Sequence, residues 1–156
     1  LMSHSSVSEL WEAFIADHPE YQSQPQPPAD HFGDSEEVAA SCVELVLSGK
    51  KRVTSHSLLG LQFRKERLPK IGDLNIITDW EGKAYGITRT LKVRLKPFFS
   101  ISAEHARLEG EGDGSLKYWK TSHWDYYTRE LEAFGKTPVE SMIIVCEEFE
   151  LIYKLP

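Results

Sequence analysis

Gly49-Lys50-Lys51-Arg52-Val53-Thr54-Ser55 is the stretch from which the rest of the chain is read. On its N-terminal side Val38, Cys42, Leu45 and Val46 recur at helical spacing. Asp34-Ser35-Glu36-Glu37 supplies a capping signal ahead of them, with Asp34 as N-cap. Gly49 stands where a helix-ending glycine in the left-handed conformation belongs. On the C-terminal side, residues 52–59 read as a strand. Between helix and strand lie three cations, followed by two hydroxyls. Lys51 and Thr54 are three apart, and an amine beside a hydroxyl is one route to a nucleophile, because a neutral amine can take the hydroxyl proton. The plainer reading is a solvated basic turn after a glycine-capped helix.

Working outward, Ser6-Val7-Ser8-Glu9 reads as a capping box with Ser6 as N-cap, followed by a stripe of Leu10, Trp11, Phe14 and Ile15. Prolines 19, 25, 27 and 28 then mark an extended connection. We therefore divide the chain into an N-terminal helix and Pro-rich connection over residues 1–31 and a main domain over residues 32–156. Beyond the central stretch, residues 60–70 suggest a short helix or flap. Residues 74–78 and 84–95 read as strands, and Ser102 caps a short helix through Leu108. Glu109-Gly110-Glu111-Gly112-Asp113-Gly114 alternates acids with glycines, a pattern open to metal binding, acid/base work or plain solvation. Residues 115–134 form a long helix on which Trp119, His123, Tyr127, Leu131 and Phe134 recur as a core stripe, or as candidates to stack on a base. Residues 142–155 form a final strand. The element order gives an α+β fold whose mixed sheet rolls into a small barrel. Val53, Ile76, Ile87, Val93, Ile144 and Phe149 are expected to face a shared core.

Composition narrows the function classes. The 156 residues carry a net charge of −6, but residues 50–96 hold 12 of the 18 Lys and Arg and only 4 of the 24 Asp and Glu. That is a local balance of +8 against −14 elsewhere. A bulk nucleic-acid binder should not be so acidic overall; a localised basic surface fits a small anion, a nucleotide or a short RNA. The apolar settings of Cys42 and Cys146 predict reduced thiols, no disulfide partner and a cytoplasmic location. Two cysteines without ligand spacing argue against zinc, and neither a metal nor a cofactor is expected. No apolar run reaches membrane-span length, so no membrane partner is expected. Nothing in the pattern sets an oligomeric state. Leu1 ahead of Met2 reads as a residue added in cloning.

The central stretch matches the Gly-x-Lys-x-x-Thr motif of the ASCH family (activating signal cointegrator homology domains), and other matches follow in order. They are Phe32-Gly33-Asp34, Leu68-Pro69-Lys70-Ile71-Gly72-Asp73, Glu109-Gly110-Glu111-Gly112-Asp113, Ser115-Leu116-Lys117-Tyr118-Trp119 with His123, and Val145-Cys146-Glu147-Glu148-Phe149. The chain resembles that family from about Phe32 to Tyr153. The resemblance implies a PUA-like mixed β-barrel with flanking helices, and a partner that is a nucleoside, a nucleotide or a short RNA. Family members have been proposed as RNA-binding modules, and one acts as a ribonuclease. A small bacterial branch deacetylates N(4)-acetylcytidine with a Lys, Thr and Glu set.

Carried over by position, that set is Lys51, Thr54 and Glu109, the last following His105-Ala106 as the branch's Glu follows a His-Ala pair. Glu111 is the alternative. Around these catalytic candidates, Lys50, Arg52, Ser55, His56, Arg89, Glu111, Asp113, Trp119 and His123 are the expected substrate-binding residues. Where the branch has Arg two positions after the threonine, this chain has His56, and Arg89 is the candidate replacement. In this scheme Thr54 attacks an amide carbonyl and a neutral Lys51 takes its proton. Burial and the cations Lys50 and Arg52 favour the neutral amine, while a carboxylate close to it favours the charged one.

Overall fold

The computed structural model describes residues 3–156; Leu1 and Met2 lie outside them. Five α-helices are α1 (Ser5–Asp17), α2 (Glu36–Leu47), α3 (Leu58–Phe63), α4 (Ala103–Glu109) and α5 (Leu116–Glu132). Five strands are β1 (Ala29–Asp30), β2 (Val53–Ser57), β3 (Leu74–Thr78), β4 (Ala84–Pro97) and β5 (Ile143–Lys154). The strands are ordered β1-β3-β4-β5-β2, with β1 parallel to β3 and the pairs β3–β4 and β2–β5 antiparallel. The fold is therefore α+β with a mixed sheet.

Local chemistry sets the element ends. Ser35, Ser57, Ser102 and Ser115 each cap a helix, the hydroxyl accepting from the backbone N–H three residues on. The cap of α2 is thus Ser35 and not Asp34, and that of α1 is His4, whose ring accepts from the Ser6 N–H. Gly49 follows α2 at φ +80°, the expected left-handed stop.

The chain forms two compact units. The first joins the segment ending at Gly49 with Asp73–Arg89 and Glu150–Pro156, and the second joins Lys50–Gly72 with Thr90–Phe149. Each has its own apolar cluster. In the first, Val7, Leu10, Trp11 and Phe14 of α1 pack with Leu74, Ile76, Ala84 and Ile87. In the second, Trp119, Tyr127 and Leu131 of α5 pack with Phe98, Ile101, Met142, Ile144 and Cys146. The single shared core expected from the sequence is thus two cores. Ile76 and Ile87 belong to one and Ile144 to the other, Val53 and Phe149 are buried, and Val93 is half-exposed.

Candidate functional site

The site lies within the second unit and is organised by β2. Its burial alternates, with Val53, Ser55 and Ser57 buried and Thr54 and His56 partly exposed. A strand points successive side chains to opposite faces, so β2 separates two sets of polar groups. Ser55 and Ser57 face α4 and α5, where Ser55 meets Glu109 and Ser57 meets Glu130. Thr54 and His56 face the other way. Thr54 lies opposite Glu147 in the β2–β5 register, and His56 reaches the same glutamate.

On the helix face Glu109 is the hub, its carboxylate only 2 % exposed. Oε2 accepts from Lys51 Nζ at 2.9 Å. Oε1 accepts from Ser55 Oγ at 2.6 Å and from Trp119 Nε1 at 2.8 Å. His105 Nε2 and His123 Nε2 lie 3.4 and 3.6 Å from that oxygen. Lys51, 1 % exposed, also donates to Glu111 Oε2 at 2.9 Å, and Glu111 is 24 % exposed. Because the Ser55 proton goes to the carboxylate, the His105 Nε2 that lies 2.7 Å from Ser55 Oγ must be the donor of that pair. His123 stacks on Trp119 at 4.1 Å and holds the Trp119 carbonyl through Nδ1 at 2.9 Å.

The electrostatics follow from this packing. Burial alone would raise the Glu109 carboxyl, but the charge of Lys51, the charge of His123 and the imidazole hydrogen bonds outweigh it and hold it well below its ordinary value. Burial works against charge on His123, yet Glu109 and Glu111 push its pKa up. Two carboxylates at 2.9 Å favour the ammonium form of Lys51. An ammonium cannot take the Thr54 proton.

The opposite face is built differently. Glu147 is buried, and its Oε1 lies 2.9 Å from His56 Nε2 while Oε2 accepts from Thr90 Oγ1. His56 is 32 % exposed. Among the described residues the Thr54 hydroxyl engages no side chain or backbone group.

The profile of the ASCH domain matches residues 28–153. The chain belongs to the ASCH domain family. Among solved structures, an ASCH domain from Lactobacillus crispatus JV V101 is 27% identical with a TM-score of 0.89, covering 97% of this chain and 96% of that one. The protein EF3133 from Enterococcus faecalis V583, assigned to the family DUF984, is 32% identical with a TM-score of 0.86, covering 94% and 88%. The fold is thus the PUA-like one of ASCH domains. No curated protein matches the chain.

Of the positions expected from the ASCH motifs, Lys51, Ser55, Glu109, Glu111, Trp119 and His123 come together, while Thr54 and His56 lie on the other face of β2. Trp119 is 2 % exposed, its indole N–H spent on Glu109 and its face covered by His123, so it is a core residue rather than an open stacking platform. Lys50 and Arg52 are exposed at the start of β2. Arg89, in the first unit, is engaged by Glu150 and, at 3.0 Å, by the Tyr21 hydroxyl. Asp113 is exposed and accepts from the Ser115 N–H at 2.9 Å, a local turn contact. Glu109, Glu111 and His123 place one ligand atom each within 4.8 Å of one another. Such a set could hold a divalent ion, but the Lys51 ammonium already supplies the cation those carboxylates need. Glu147, missing from the expected set, lies 91 residues from His56 in sequence. Its one signal is its place in the Val145-Cys146-Glu147-Glu148-Phe149 motif.

Proposed function

We propose that this ASCH domain binds a nucleoside or nucleotide, free or within a short RNA, and removes an acyl group from the exocyclic amine of an acylated cytosine, with N(4)-acetylcytidine as the type substrate. The observation that carries the reading is the Thr54 hydroxyl. It occupies the motif position, is half-buried and is engaged by nothing among the described residues, while every buried side-chain nitrogen and oxygen there has a partner. A hydroxyl that solvent reaches and that no protein group engages is open to attack a bound acyl group.

Thr54 attacks the acyl carbonyl in this reading. Lys50 and Arg52, exposed beside it in sequence, attract the phosphate of a nucleotide or RNA. Lys51, Glu109 and Ser55 act as a buried brace that fixes the start of β2 against α4 and α5. Glu109 cannot deliver a proton to the leaving amine, because its carboxyl is held ionised.

The test is calorimetric binding and acetate release with N(4)-acetylcytidine, cytidine and cytidine monophosphate. The expected result is binding of all three and acetate from the first. Binding without acetate release would reduce the domain to a recognition module, and absence of binding would reject the reading altogether.

A further inference from the structure

The locked state of Lys51 leaves the threonine without the base that the family motif supplies. The geometry points to His56 as that base, with Glu147 as the residue that positions it. Three observations carry this.

The first is register. Thr54 pairs with Glu147 across β2 and β5, whereas His56 pairs with Val145. Yet His56 Nε2 lies 2.9 Å from Glu147 Oε1. The imidazole and the Glu147 carboxylate thus meet diagonally across the two strands, between the pairs Thr54–Glu147 and His56–Val145. Residues two apart on a strand share a face, so ring, carboxylate and Thr54 hydroxyl lie on one face of the β2–β5 pair.

The second is tautomer. Glu147 receives the Thr90 hydroxyl on Oε2 and the imidazole on Oε1. A carboxylate only accepts, so Nε2 carries a proton, and in the neutral imidazole Nδ1 is the nitrogen that bears the lone pair. Among the described residues Nδ1 has no partner. The third is exposure. Glu147 is buried and fixed, while His56 and Thr54 are both partly open to solvent. A buried carboxylate, an oriented imidazole and a free hydroxyl have the division of roles used by acyl-transfer triads on many folds.

The inference rests on the acyl-transfer reading above. The Thr54 oxygen bonds to the acyl carbon as His56 Nδ1 takes its proton. The carbon–nitrogen bond then breaks, and the same proton goes to the leaving amine. Water attacks the acyl-threonine, with His56 taking one water proton and returning it to the Thr54 oxygen as the carboxylic acid leaves.

The experiment uses p-nitrophenyl acetate as an acyl donor that needs no nucleoside recognition. Acetyl-Thr54 is detected by peptide mass spectrometry. The wild-type protein should acetylate at Thr54, and His56→Ala should slow this about a hundredfold or more, as loss of a general base does. Added imidazole should restore much of the rate to His56→Ala, which it would not do for a merely structural residue. Glu147→Gln should slow labelling while its ring spectrum, followed by nitrogen NMR, shows the His56 proton redistributed between Nδ1 and Nε2. His56→Ala labelling at the wild-type rate, or a wild type that never labels at Thr54, overturns the proposal. Labelling at Thr54 together with no turnover of any acylated cytidine would overturn the substrate reading alone and leave the His56 assignment standing.

Discussion

Lys51 shows how a side chain's place in a motif and its charge state are read from different information. Its position was legible from the Gly-x-Lys-x-x-Thr spacing. Its state was not, because that depends on Glu109 and Glu111, 58 and 60 residues away. Removing one member of a buried ion pair leaves an unpaired charge, which costs about 3–5 kcal/mol. Lys51→Ala is therefore expected to melt far below wild type, and any loss of activity should track the loss of folded protein in a parallel circular-dichroism melt. The pH dependence follows from the same cluster. Glu109 is depressed from 4.5, so its stabilisation is present above that value and drains away as pH falls toward the lower folded pKa. His123 is raised from 6.5, so its stabilisation is complete below that value and is lost as pH rises through the higher folded pKa. Urea melts across pH should show both losses, and Glu109→Gln should flatten both.

At the scale of elements, the long periodic segments were readable and the short or cross-chain features were not. The stripe on α5 and the glycine stop after α2 follow from spacing alone. β1 has two residues inside a Pro-rich connection and exists because its neighbour β3 offers a parallel edge, so no periodicity could mark it. The two faces of β2 were written in its alternation, but which face carried chemistry depended on where α4, α5 and β5 arrive. The turn after α4 is a sharp local test. Gly110 adopts φ +74°, and a Cβ there would stand 2.9 Å from the Lys50 carbonyl oxygen. Gly110→Ala is expected to destabilise by roughly 1–3 kcal/mol through left-handed strain, plus the cost of pushing the Lys50 backbone away. Equilibrium unfolding measures it, and a neutral result would mean that α4 and the start of β2 are not held in close register.

Over the whole molecule, several cations of the basic stretch are already engaged by carboxylates. Lys51 is buried, Arg64 is paired with Glu66 and Glu130, Arg89 with Glu150, and Lys92 lies 3.8 Å from Glu148. Lys50 and Arg52 are the exposed cations beside Thr54 in sequence, and nucleotide binding through those two alone should depend weakly on salt. A double-logarithmic slope of about −0.7 is expected for each phosphate engaged, with one or two engaged. Lys50→Ala with Arg52→Ala should reduce that slope, as fluorescence titrations at several salt concentrations would show. Among the described residues no helix is long and apolar enough to cross a membrane. Both cysteines are buried and in no disulfide, and burial first among the causes pushes the Cys146 thiol up to about 11, which keeps it unreactive. In the proposed function the two faces of β2 divide the labour, Thr54 reacting and Ser55 bracing. The most direct measurement is acetate release from N(4)-acetylcytidine, with thermal melts alongside, for Thr54→Ala and Ser55→Ala. Thr54→Ala should lose turnover and keep its melting temperature, while Ser55→Ala should lose about 1.5–3 kcal/mol of stability with its charged hydrogen bond and keep turnover per folded molecule. The reverse pattern, an active Thr54→Ala beside a stable but inactive Ser55→Ala, would contradict it.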